Sequence, residues 1–167
     1  MDKTQRRVIL VLGLLSLAAF LLFSIPNSKA SDNLAMVTMF EPDEAVMLPV
    51  IQRMIGPYPD LLHTVYRFIA YSFYSYGFPH FVPSALVYKA LSLFGLETNM
   101  PVLMLALRQL ITVIPMLASL WLLVYMQDQF KTWRSAALFG FMLLVPAVVQ
   151  NGFWWHPDGQ VMLYSSL

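Results

Sequence analysis

Two short acidic motifs, each at the edge of an apolar segment, hold the residues of this chain best suited to chemistry. They are Phe40-Glu41-Pro42-Asp43-Glu44 and His156-Pro157-Asp158. A carboxylate where hydrocarbon meets water costs solvation energy, so ionisable residues there are functional candidates by default. Asp43 is the candidate general base, taking a proton from an acceptor hydroxyl, with Glu44 beside it. Arg53, Arg67, Lys89 and Arg108 are cations able to hold a phosphate, the arginines in bidentate geometry. Each residue also has a plainer account. Pro42 and the acids around it are ordinary helix-start residues, and Asp158 lies in a Pro-Asp-Gly turn. The basic side chains can snorkel to headgroups, and His156 can be a satisfied interface residue or an axial ligand to a bound pigment. His63, His80 and His156 lack metal-ligand spacing, and the absence of cysteine excludes disulfides and Cys-based zinc sites.

The chain has 167 residues, of which 59% are hydrophobic and only 11% charged. Soluble domains carry about a quarter charged residues, so composition alone points to a membrane protein with the lipid bilayer as its first partner. A net charge of +1 without a basic cluster gives no case for nucleic acid. Val8 to Ile25 is an apolar run of about 18 residues, roughly 27 Å as a helix, behind Lys3, Arg6 and Arg7. It is expected to be an uncleaved anchor, although Ser28-Lys29-Ala30 resembles a signal-peptide cleavage site. A second span is expected over Val102–Met126, kinked by Pro115, with Thr112 satisfying a freed backbone group. A third is expected over Ser135–Asn151, with Trp133 before it and Trp154-Trp155 after it as aromatic belts. Val161–Leu167 reads as the start of a fourth. The stretch 61–96 is apolar and aromatic but broken by Gly77, Pro79 and Pro83; its halves are short for a crossing and suit interfacial or re-entrant helices. A hairpin of two crossings is the alternative.

Charge sets the sidedness. Lys3, Arg6, Arg7, Lys131 and Arg134 outnumber Asp2 and Asp128 in the N-terminus and the 127–134 loop, whereas acids predominate between Asn27 and Met100. The positive-inside rule puts the first set in the cytoplasm and both acidic motifs outside, where they can build one site. The expected fold is therefore an all-α integral membrane protein. It has three transmembrane helices, a partial fourth and a long external loop of interfacial helices. The expected divisions are 1–26 as anchor, 27–100 as external loop and 101–167 as the later helices, with a bacterial inner membrane as the setting.

The order of these elements resembles the N-terminal part of a GT-C class integral membrane glycosyltransferase of the protein-mannosyltransferase type. The matching order runs from an anchor to Pro42–Ala45, then Tyr76-Gly77-Phe78 with Pro83–Leu86. Leu107-Arg108-Gln109-Leu110 follows, and a span then ends in His156-Pro157-Asp158. The resemblance covers nearly the whole chain. It implies Asp43 as catalytic base, Glu44 positioning the acceptor or a divalent cation, Asp158 supporting the site and His156 near the donor phosphate. The implied donor is a polyprenyl-phosphate sugar, transferred with inversion.

Such enzymes need more spans and later donor-binding loops, while this chain ends at Leu167 in an apolar run. The expectation is a fragment of a longer product, or a truncated relative held by partners, with no transfer by this polypeptide alone. A second hypothesis is a non-catalytic subunit of a larger energy-transducing or pigment-binding membrane complex. Met, with 11 residues, supplies adaptable packing surface for other subunits.

Overall fold

A computed structural model describes residues 1–167. Every element is helical: α1 Lys3–Asn27, α2 Leu34–Phe40, α3 Pro42–Met54, α4 Leu61–Ile69, a 3-10 turn Tyr74–Tyr76, α5 Phe78–Ser92, α6 Met100–Leu107, a π segment Arg108–Val113, α7 Ile114–Asp128, α8 Trp133–Met142, α9 Pro146–Asn151 and α10 Asp158–Ser166. Two helical runs are long and apolar enough to cross a membrane, Lys3–Asn27 and Met100–Asp128. The chain divides into two compact units, residues 1–26 with 108–167, and residues 27–107.

In the first unit, α1 supplies Val8, Leu12, Ala19 and Phe23 to a core with Val113, Met116, Leu117, Leu120 and Val124 of the π segment and α7. Phe139 of α8 and Val148 of α9 complete it. The two long helices run antiparallel. Gln5 Nε2 donates to the Gln129 carbonyl at 2.9 Å, Trp121 Nε1 donates to Ser16 Oγ at 2.8 Å, and Phe23 stacks edge-on against Phe153 with centroids 5.6 Å apart. The opposite face of α1, with Leu10, Leu14, Leu17 and Leu21, is exposed. A helix apolar all round yet covered on one side only is the pattern of a lipid-embedded helix.

Pro115 acts on the second long helix as its chemistry dictates. It has no N–H to give the Ile111 carbonyl, and the turns ahead of it widen into the π segment. Thr112 does not satisfy a freed group of its own helix. Its hydroxyl bridges to the His156 backbone, donating to the carbonyl at 3.2 Å and accepting from the N–H at 3.1 Å.

The third expected span does not form as one helix. It breaks at Leu143–Val145 between α8 and α9, because Pro146 cannot continue the ladder and holds Val145 extended at φ −66°, ψ 126°. The aromatic belt behind it also differs from expectation. Trp155 is fully buried and Trp154 half-buried, so both serve the fold.

The second unit packs Val37, Met47, Leu48, Val50, Ile51 and Met54 of α2 and α3 in its core, with Tyr71, Phe81 and Ala85, and with Leu103, Met104 and Leu107 of α6. Gly77 at φ +76° turns the chain out of the 3-10 turn into α5. The 61–96 stretch forms helices of 9 and 15 residues. At roughly 14 and 22 Å, both fall short of a hydrocarbon core of about 30 Å. The Gly77-Phe78-Pro79 break is real, but Pro79 then opens α5 at a position that tolerates it, so the helix starts before Pro83 rather than after it.

Candidate functional sites

Asp43 and Glu44 occupy the first turn of α3, where Pro42 opens the helix and acids complement its dipole. Capping does not account for the motif, since the Glu41 side chain makes no cap hydrogen bond. The Tyr76 hydroxyl instead donates a short hydrogen bond to Asp43 Oδ2, joining residues 33 positions apart. The Tyr76 ring packs edge-on against His80, centroids 6.0 Å apart, and His80 is itself buried. Its carbonyl accepts from Ser84 Oγ at 2.7 Å. Asp43 remains partly exposed while Glu44 is fully buried. The local centre of the second unit is thus a half-open carboxylate held by a phenol, whose ring rests against the buried His80.

The first unit carries the other cluster. Arg108 opens the π segment and is fully buried, its guanidinium carbon 4.8 Å from the centroid of the Trp154 ring. A cation over an indole face is stabilised by the ring quadrupole. Trp154 adopts φ +63°, a left-handed conformation costing a bulky side chain about 1 kcal/mol or more. His156 Nδ1 and Asp158 Oδ2 lie 3.1 Å apart, within ion-pair range but off the line of a straight hydrogen bond. Both are partly exposed, at 30% and 48%, so solvent holds the pair to well under 1 kcal/mol. Gln109, next to Arg108, is 4% exposed, and neither amide atom has a hydrogen-bond partner. A buried amide left so costs about 1–3 kcal/mol.

The predicted residues therefore fall into two groups. Asp43 and Glu44 share one unit with Tyr76 and His80; Arg108, His156 and Asp158 share the other with Trp154 and Thr112. Arg53 and Arg67 join neither cluster. Arg53 is exposed near the end of α3, its Nε donating to the Pro49 carbonyl at 3.2 Å. Arg67 is exposed on α4, beside Leu62, His63 and Tyr66. No three His, Asp or Glu side chains gather into a cation-binding set. The residues present do not fit a divalent cation, and no step below runs through one.

Sequence reasoning missed Tyr76, His80, Trp154 and Gln109. Trp154 was discoverable, since an arginine near the start of an apolar helix needs a partner; the Tyr76 bond has no local signal. No protein-family model, curated protein or solved structure matches this chain.

Proposed function

We propose that these residues belong to an integral membrane glycosyltransferase that moves a sugar from a lipid-phosphate donor to an acceptor hydroxyl. The observation that carries this reading is the Tyr76–Asp43 hydrogen bond, which joins two of the motifs on which the resemblance rests. The phenol fixes one carboxylate oxygen and leaves the other for an incoming hydroxyl, the geometry a general base requires. The contact between Arg108 and Trp154, two residues ahead of the His156–Asp158 pair, adds support from the other unit. There the partly exposed His156 faces the donor phosphate with Asp158 beside its imidazole, and Arg108, buried against Trp154, positions that ring. In the same reading α1 and Met100–Asp128 cross the bilayer, the broken α8–α9 pair completes a third passage, and α10 begins another.

The test is transfer from a polyprenyl-phosphate sugar in membranes containing the protein. Asp43→Asn should lower turnover by roughly 10²-fold or more while folded protein persists, because asparagine caps a helix about as well as aspartate. Unchanged turnover would sink the assignment.

A further inference from the structure

We propose that α4 is a bilayer-docking helix, lying along the headgroup–acyl boundary with Leu61, Leu62, Val65, Tyr66 and Ile69 in the lipid. At about 100° per residue these five side chains share an arc of roughly 140°, and His63, Thr64 and Arg67 fill the opposite arc. The apolar arc is bare, with exposures of 78%, 76%, 46%, 61% and 60%, and no residue of α4 is buried. Only the Val65–Ile69 edge of this face borders protein, in a groove shared with Met54 and Tyr58, and an apolar helix face left otherwise open is a docking surface. Its length of 9 residues, roughly 14 Å, lets it lie in a bilayer surface but not cross it.

Two observations select lipid over a protein partner. Arg67 sits on the polar arc beside the paired His63 and Asp60, where a helix lying in the surface directs its guanidinium to anionic headgroups. The chain on either side of the second unit also runs into a helix long enough to cross a membrane, Lys3–Asn27 before it and Met100–Asp128 after it. Tethering of that kind keeps α4 at the surface at high effective concentration, so a modest apolar face suffices. The inference rests on the membrane reading above, but not on glycosyl transfer.

The chain has no cysteine, so single-cysteine reporters are unambiguous. The whole chain, reconstituted in vesicles of phosphatidylcholine and phosphatidylglycerol, would carry an environment-sensitive fluorophore at Val65, at His63, or at Leu14 on the exposed face of α1. Nitroxide on a shallow acyl carbon should quench the Val65 reporter several-fold more than the His63 reporter, and aqueous iodide should show the reverse order. The Leu14 reporter should respond to deeper nitroxide. Failure at Leu14 would sink the membrane reading and this inference with it. Quenching at Leu14 without quenching at Val65 would overturn the docking face alone. So would a Val65 reporter shielded from both iodide and nitroxide, the pattern of protein cover. The reporter sites on α4 are exposed, and circular dichroism of each labelled chain checks that the helix content is unchanged; a reporter at Ile69 gives a second reading of the same face.

Discussion

Asp43 and Tyr76 make one unit of chemistry out of two remote side chains. Tyr76→Phe keeps the ring against His80 but removes the donor to the carboxylate, a loss of about 1.5–3 kcal/mol for a hydrogen bond to a charged group. Chemical denaturation of the detergent-solubilised chain measures it, and an unchanged midpoint would show that the phenol holds nothing. Gln109 predicts the opposite sign. Replacing a buried, unpartnered amide by a leucine of similar size should stabilise this chain by about 1–2 kcal/mol. A lower midpoint for Gln109→Leu would mean that the amide has a partner after all. At this scale the acids were legible in the sequence because carboxylates and helix-start residues advertise themselves locally. Tyr76 was not, since its role is set by a residue 33 positions away.

Elements carry the next set of consequences. Helix α10 approaches the π segment so closely that a Cβ on Gly159 would stand 2.2 Å from the Thr112 carbonyl oxygen. Because the obstacle is backbone, Gly159→Ala has to push α10 away, breaking the Thr112–His156 bridge and the Ser119–Met162 bond. Overpacking of this kind costs about 1–3 kcal/mol. Gly140→Ala is the contrast: nothing lies within 4 Å of its added Cβ, so helix propensity should make it neutral to mildly stabilising. Thermal melts of the two variants should separate in that order. The start of α4 gives a pH dependence. The Asp60 carboxyl is held below its ordinary value, first by the His63 backbone N–H and then by the His63 ring. A depressed pKa contributes stability that is present above the unfolded value and lost as pH falls through the folded one. Fraying of α4 should therefore begin below about pH 4 and be weaker in Asp60→Asn, which caps without titrating. Nitroxide-label mobility at Thr64 would follow it. The elements most legible in sequence were α1 and the Pro115 helix, announced by long apolar runs, and α3, announced by its Pro-Asp-Glu start. The third span was misread because its apolar composition outweighed Pro146 in the expectation, although one missing N–H is enough to break the helix.

For the molecule as a whole, charge and packing bear on the same question. The Gln5–Gln129 hydrogen bond puts the N-terminal end of α1 beside the end of α7, so Lys3, Arg6, Arg7, Lys131 and Arg134 collect at one end of the first unit. The Phe23–Phe153 contact puts the approach to His156 and Asp158 at the other end. On the membrane reading proposed above, the positive-inside rule predicts the basic end in the cytoplasm and the His-Pro-Asp turn outside. The same reading predicts Asp43 outside, since it follows α1 in the chain and α2, at 7 residues, is too short to cross back. In intact cells, cysteine at Thr132 should resist an impermeant thiol reagent and react only after permeabilisation. Cysteine at Asp32, which is exposed where its neighbour Ser31 is buried, should react at once. Cysteine at Gln52, exposed on the helix that begins at Asp43, should react with it. If Thr132 labels first, the basic end faces outward and both acidic motifs lie in the cytoplasm, away from an external lipid-linked donor. If Asp32 and Gln52 label on opposite sides, α2 or α3 must cross the membrane, which helices of 7 and 13 residues are too short to do.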